Sequence, residues 1–533
     1  MSRSKITLPE PNAIDRAVAW VSPETALRRL KARAAIALYG GYTGARKDRR
    51  QTKNWKPAEG SADNVSLPDL PELRERSRDL IRNAPLATGA IKTVVTNVVG
   101  TGLKVRSSID RDILQSVLGD DEDAFDAFER SAEQEFRLWA SSPDCETTRT
   151  LTFTGLQSLV FRSALESGDT FILKNFIERP NRRLGTALQV IEADRVANPG
   201  FKPDTPQLAG GVEKDRHGAP VAYHILKAHP GDYRNAKSRE SIRVDAFGSD
   251  GMRQVHHFFM PLRPGASRGV PYLAPVIESL KQLDRYTEAE IMSAVISAMF
   301  TVFVKSEDPD GLGAMEDSHT PASHKNDKDF NLGPGAILDL LPYEDVQIAD
   351  PKRPNQSFDP FVLAILRQVG VALELPFELL VKHFTASYSA AQAALVEAWK
   401  FFCSSREWLA HMFCQPIYEA VITEAVARGH IHAPGFFSDP LIRHAYLGTQ
   451  WIGPPRGQID QLKEGKAARE RVDMGISTLA EETASLTGGD WERKHKQRAK
   501  EMRMRVADGL ETSEISQSGN SNEQDFLINN EDE

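Results

Sequence analysis

The sequence predicts an α+β subunit in which helical blocks flank a small antiparallel β-region, and three observations carry that prediction. Apolar residues recur at helical spacing from Pro71 to Gly168 and again beyond Pro271. Between those blocks lie short segments rich in β-branched and aromatic residues, punctuated by Gly, Pro, Asn and Asp. Two long apolar-striped helical stretches then bracket a polar insert. A β-rich block set between helical blocks reads as α+β and not as alternating βαβ units. At 533 residues the chain is long enough for two to four domains.

Taken in order, residues 1 to about 60 mix short helical pieces with "GGYTGARKDRRQTKNWKPAEG", which reads as an extended basic arm. A helix is expected from Pro71, broken at Pro85 and resumed with Ile91, Val94, Val95 and Val98 on one face. Gly100 and Gly102 end it. A second helix fits Asp123–Ala140, where Phe125, Phe128, Phe136 and Trp139 supply bulk, and a third is closed by Gly168. The segments "DTFILKNF", "ALQVIEADRV", "GGVEKDRHGAPVAYHILKAH", "ESIRVDAF" and "VHHFFM" are expected strands, with "DRHGAP" (Asp215–Pro220) as a hairpin turn.

Beyond Pro271, Leu273, Val276, Ile277, Leu280 and Leu283 share one stripe. Ile291, Ala294, Val295, Ala298 and Val302 continue it. Read as one helix of about thirty residues it would span roughly 45 Å, and a helix of that length needs neighbours to bury it. The following stretch, to Gln356, is polar and rich in Gly, Pro and Asp, with loops and short strands such as "GAILDLL". A shorter helix, "SFDPFVLAILRQVGVALEL", precedes "PFELLVKHFTASYSAAQ". A long apolar helix begins near Ser389, bent at Pro416, and charged helices follow Trp451.

Composition narrows the function classes. No run approaches the roughly 20 apolar residues that cross a bilayer, and the N-terminus lacks the apolar core of a secretory signal. Three cysteines without a C-x-x-C pair fit free thiols in a reducing compartment. The net charge of −8 opposes wholesale binding of nucleic acid, although the first sixty residues are basic. The last twenty carry no basic residue, as expected of a solvated tail.

Catalytic signatures are thin. Gly265-Ala266-Ser267-Arg268-Gly269 spells G-x-S-x-G, which would make Ser267 the nucleophile of a hydrolase. That elbow needs a strand running straight into a helix; here Pro264 and Pro271 stand on either side, so a structured turn is expected. No P-loop occurs, since "EGKAARE" lacks the upstream glycine and the hydroxyl. His256 and His257 alternate across a strand and face opposite ways, which argues against a shared metal. The acidic run Gly119–Asp126 reads as an exposed helix N-terminus, and Arg493–Arg505 as a solvated cationic face. No catalytic residue, cofactor or metal is expected.

Seven ordered blocks nevertheless form a recognisable set: "RSRDLIRNAPLATGAIKTVVTNVVGTGL", "FRSALESGDTF", "IEADRVANP", "GVEKDRHGAPVAYHI", "HHFFMPLRPGASRGVPYLAPVI", "LPYEDVQIADPKRPN" and "ELPFELL…YSAAQAALVEAWKFF". From about Leu73 to Gly489 the chain resembles the lambda-like family of tailed-phage portal proteins. The resemblance implies a ring of about twelve copies at one capsid vertex, through which double-stranded DNA is packaged and ejected. It implies as partners the terminase large subunit, the major capsid or scaffold protein and a head-completion or adaptor protein, with no membrane. The location implied is the virion, and the host cytoplasm during assembly.

Laid on this chain, the resemblance implies a wing at 71–270 and 389–450, stem helices at 271–304 and 357–375, a clip at 305–356, a tunnel loop at 376–388 and a crown at 451–508. The basic arm at 1–70 and the acidic tail at 509–533 are read from composition alone and lie outside it. Lys382, His383, Thr385, Ser387 and Tyr388 would face the channel. Many relatives carry an acidic residue before the tyrosine-serine step, where this chain reads "HFTASYS". Arg263, Pro264, Gly265, Arg268, Gly269 and Pro271 would shape the turn into the stem, with Pro271 in the first turn of its helix. Twelve copies at −8 would carry on the order of −100 charges, so a duplex would not adhere to the assembly as a whole. The rival readings are a serine hydrolase using Ser267 and a DNA-binding adaptor that does not form rings.

Overall fold

The structure, a computed structural model, describes residues 13–39, 50, 52, 54–57, 59–232, 234–235, 239–298, 302–306, 344–348, 358–383, 388–457 and 460–510. The chain divides into two units, 1–61 and 62–533. In the first, α1 (Ala13–Val21) and α2 (Pro23–Tyr39) are joined at Ser22. Buried Asp15 on α1 pairs with Arg29 on α2 at 3.4 Å.

The second unit begins with α3 (Ala62–Ser66), α4 (Leu70–Asn83) and α5 (Pro85–Val98). Pro85 forces Ala84 into an extended conformation (ψ 117°), which ends α4 and starts α5 at the anticipated residue. Then come β1 (Lys104–Ser107), α6 (Arg111–Leu118), α7 (Glu122–Ser141) and α8 (Phe153–Ser167). The acidic run is the start of α7. Asp121 caps Asp123 and Ala124, and Arg111 binds Glu122, Asp126 and Glu129.

The β-block is two sheets. In the first, β2 (Asp169–Phe176) is the centre, hydrogen-bonded to β3 (Thr186–Ile191) on one side. The second sheet runs in chain order through β4 (Leu208–Ala209), β5 (Val212–Lys214), β6 (Pro220–Leu226) and β7 (Ser241–Asp245). Finally β8 (Val255–Phe259) returns to the open side of β2. All strand-to-strand pairings are antiparallel, the 215–219 turn joins β5 to β6 as expected, and an isolated bridge from Val196 to Ile225 links the sheets.

The expected thirty-residue helix is not one helix. Residues 274–276 form a single 3₁₀ turn, α9 runs Ile277–Ala298, and Val302 opens a strand, β9 (Val302–Ser306). The late start has a cause. The Tyr272 amide is tied to the Leu165 carbonyl at 2.9 Å, and Leu273 and Val276 are buried, so this segment is anchored to the body before the helix begins. Pro271 therefore lies six residues ahead of α9, not in its first turn. β9 pairs with β10 (Glu344–Ile348), while "GAILDLL" and most of 305–356 lie outside the described residues.

The chain resumes with α10 (Phe358–Ala372), α11 (Phe377–Val381) and α12 (Tyr388–Leu409). A π-turn at Ala410–Cys414 leads into α13 (Gln415–Ala427). Pro416 offers no amide to the preceding turn, and the widened π-turn absorbs that loss within one helical run. Next are α14 (Pro440–Tyr446) and β11 (Thr449–Ile452), which pairs with β1 across more than 300 residues of sequence. The chain ends in α15 (Gln461–Asp473), α16 (Leu479–Thr487) and α17 (Trp491–Ala507).

An aromatic cluster holds the body together. Phe136 packs within 5.3–5.9 Å of Trp139, Phe153, Tyr418 and Trp451, joining α7, α8, α13 and β11. Trp408 of α12 stacks on Phe258 of β8 at 4.0 Å, which fixes the long helix on the first sheet. Each such ring contributes roughly 1.5–3 kcal/mol when fully withdrawn from water.

Candidate functional site

The predicted turn at 263–271 is a welded junction. Asp169, the first residue of β2, is fully buried, and a lone carboxylate there would be prohibitive. Arg268 meets it with two nitrogens, Nε at 2.5 Å and Nη2 at 3.1 Å; Arg74 of α4 adds Nη2 at 2.9 Å. The Gly269 amide and His257 Nε2 each donate at 3.2 Å. Burial by itself would raise the Asp169 carboxyl, but Arg268 and Arg74 overcome it and hold the group well below the usual carboxylate range. Burial lowers the Arg74 guanidinium, to about 10, and Asp169 opposes that shift.

Arg268 also donates to the carbonyls of Ala193 (2.7 Å), Val196 (2.7 Å) and Gly210 (2.6 Å), and lies 4.9 Å from the ring centre of Phe171. One guanidinium thus binds the first sheet, the link between the sheets and the start of the second sheet. Gly168 and Gly269 make this approach possible. A Cβ at Gly269 would sit 2.0 Å from the Gly168 carbonyl oxygen, and Gly168 holds φ 90°. The expectation that Arg268 merely shapes a turn understates its part, whereas Arg263, Pro264 and Gly265 stay exposed on the loop.

Ser267 is buried, and its hydroxyl and amide both bind the Asp63 carboxylate, the amide at 2.7 Å. Lys214 completes the group 3.2 Å from Asp63. The strand before it ends at Phe259 and the helix after it starts at Ile277, so the serine docks a loop and does not stand at a strand-to-helix apex.

His256 and His257 do face opposite ways. His257 stacks between Phe171 (4.2 Å) and Phe259 (4.1 Å) beside Asp169. His256 is buried, and its Nε2 has no hydrogen-bond partner among the described residues. Burial, reinforced by Arg253 and Lys174, pushes its imidazole down to about 3. Elsewhere Glu192, Asp194 and His229 converge within 4.8 Å, but the Arg78 guanidinium binds both carboxylates, so the trio is an ion-pair cluster.

Beyond the junction the helices present a different surface. Leu280 and Leu283 in the first half of α9 are buried at 3% exposure each, whereas Ile291, Met292 and Val295 are 58%, 56% and 45% exposed. Tyr272 donates its hydroxyl to the Leu373 carbonyl and Tyr286 stacks on Phe358 at 5.4 Å, which sets α9 and α10 antiparallel. Phe361 and Val371 on α10 are likewise exposed. The predicted tunnel loop is partly helical, because α11 occupies 377–381. Lys382 ends α11 in the left-handed region (φ 56°), and Lys382 and His383 are both exposed. Thr385, Ser387 and the side chain of Tyr388 lie outside the described residues. Among the described residues no helix is long and apolar enough to cross a membrane.

This architecture has known relatives. The family model described as "Phage portal protein, lambda family" matches residues 48–406, more than half of the chain. The chain therefore belongs to the lambda family of phage portal proteins. Portal protein B of Escherichia phage lambda is 25% identical over 493 residues, covering 89% of this chain and 91% of the relative. The portal protein of Escherichia phage N15 is 26% identical over 494 residues, covering 88% and 90%. Among solved structures, a chain from the virion of a native gene transfer agent particle aligns over 81% of this chain and 96% of its own length. It is 13% identical, with a TM-score of 0.41.

Proposed function

We propose that about twelve copies of this chain close into a ring at one capsid vertex, the conduit for DNA in packaging and ejection. The observation that carries this reading is the outer half of α9. A helix whose first turns are buried leaves Ile291, Met292 and Val295 to water, and a neighbouring copy would cover them. In this reading 71–270 and 389–450 form the wing, beside the major capsid or scaffold protein. Residues 271–304 and 357–375 form the stem, and 305–356 the clip that receives the terminase large subunit and later the head-completion adaptor. The helices at 451–508 make the crown.

Lys382, His383, Thr385, Ser387 and Tyr388 line the bore of that ring, where Lys382 makes weak, salt-dependent phosphate contacts. Assembly takes place in the host cytoplasm, and the chain performs no catalysis. Negative-stain images of the purified full chain test the proposal. Rings with a central hole are the expected result. A well-behaved single subunit that binds duplex DNA strongly and salt-sensitively would overturn it.

A further inference from the structure

We propose that the acidic C-terminal segment of this chain, residues 511–533, folds back into the groove between α16 and α17 of the same copy. The groove has a volume of about 840 Å³ and two kinds of lining. Leu479, Trp491 and Met502 make an apolar floor, while Lys494, Arg498 and Arg505 form a cationic rim with Glu501 as the one acidic lining residue. The α17 helix has seven Lys and Arg against two Glu and buries none of its residues. Arg498 holds no ion pair among the described residues.

The segment that follows α17 has the complementary character. It contains seven Asp and Glu, no Lys or Arg, and one apolar cluster, Phe526-Leu527-Ile528, directly after Asp525. The helix also ends in a turn. Gly509 takes a positive φ of 71°, and the Leu510 amide bonds back to the Arg505 carbonyl at 2.9 Å, which turns the backbone off the helix axis. The helix is about 25 Å long, whereas the residues from Leu510 to Phe526 reach roughly 50 Å when extended. Phe526 can therefore reach any point along the groove.

Duplex DNA would use the cationic rim but has no use for the floor. An acidic strand with one apolar cluster uses both, with Phe526 and Leu527 on Leu479, Trp491 and Met502 and the carboxylates at the rim. The docked tail would then screen α17 from phosphate. This inference does not rest on ring closure, since a single copy contains both halves of the contact.

The test places photoreactive benzoylphenylalanine at position 526 of the full chain. Cross-links within one chain to 479–505 are expected at low salt. They should fade in 1 M salt, where the screening length falls to about 3 Å. Arg498→Glu, on an exposed helix face, should lower the yield about fivefold, and adding Asp525→Lys should restore it. Cross-links elsewhere, cross-links between two chains, a yield indifferent to Arg498→Glu, or capture of an added duplex by α17 without loss of the tail cross-link would each overturn the assignment.

Discussion

The Asp169 junction and the outer half of α9 lie on either side of one short loop, and they solve burial in opposite ways. At the junction a carboxylate, two guanidinium groups and an imidazole are withdrawn from water, and partners 88 to 100 residues away donate to both oxygens of the carboxylate. On α9, three large apolar side chains that need no hydrogen bond are left in solvent. Within a single chain the expensive group is satisfied and the inexpensive ones are not. The difference separates two roles: the junction secures the fold of one copy, and in the ring we propose the outer helix makes the contact between copies.

The junction should therefore fail hardest when one of its members is removed alone. Arg268→Ala leaves Asp169 buried with Arg74 as its one guanidinium partner, beside His257 and the Gly269 amide, and a loss of about 3–5 kcal/mol is expected in urea unfolding. Arg268→Lys should recover little of it, because an ammonium cannot span Asp169 and three carbonyls at once. Replacing all three charged members, as in Arg268→Met with Asp169→Leu and Arg74→Met, should cost less than Arg268→Ala, because no buried charge is then left unpaired. A single mutant no worse than the triple would show that the network is ornamental.

Acid probes the same region more gently. His256 is held down to about 3, so between pH 6.5 and about 4 the unfolded chain takes up a proton that the folded chain refuses. Stability must then fall as pH falls through that window, by about 2–3 kcal/mol for this residue. Burial lowers His257 as well, against the pull of Asp169, and adds in the same direction. Below about pH 4 the depressed Asp169 carboxyl adds a second loss, since its stabilisation is present above the unfolded carboxylate range and disappears beneath it. His256→Leu should flatten the upper limb and leave the lower one. An unchanged slope from pH 6.5 to 4 would contradict the buried neutral ring.

Legibility followed the range of the interaction. The helices α4, α5, α7 and α8, the strand Asp169–Phe176 and the 215–219 turn all show in the sequence, because each is dictated by neighbours a few residues apart. The pairing of Lys104–Ser107 with Thr449–Ile452 is not legible, for its partners are hundreds of residues apart and each strand is only four residues long. The short helices α6, α14 and α16 also escape periodicity. The junction left one trace: an aspartate heading the apolar run "DTFILKNF", where a charge can be buried only with a cation brought from elsewhere. The G-x-S-x-G pattern drew notice to Ser267, yet Arg268 beside it does the structural work, and no local spacing distinguishes it.

Ser267→Ala sharpens that last point. Asp63 keeps Lys214 and the Ser267 amide, so about 1 kcal/mol of stability should be lost. Particle packaging should be unchanged. A packaging failure with the fold intact would mean that the hydroxyl has a task beyond holding the loop.

The smallest change in single-copy stability is expected where the largest change in assembly is expected. Ile291→Asp with Val295→Asp places two charges on side chains that are already 58% and 45% exposed. An isolated copy has nothing there to lose, and its unfolding midpoint should move by no more than about 0.5 kcal/mol for each substitution. In a ring those same carboxylates would be forced against the apolar face of the next copy, where an unpaired charge costs several kcal/mol. Repeated at every subunit boundary, that penalty should leave monomers in sedimentation velocity and no rings in electron micrographs. Rings that survive the double substitution would place the contacts between copies elsewhere. A marked loss of stability in the single copy would show that its own chain already covers this face.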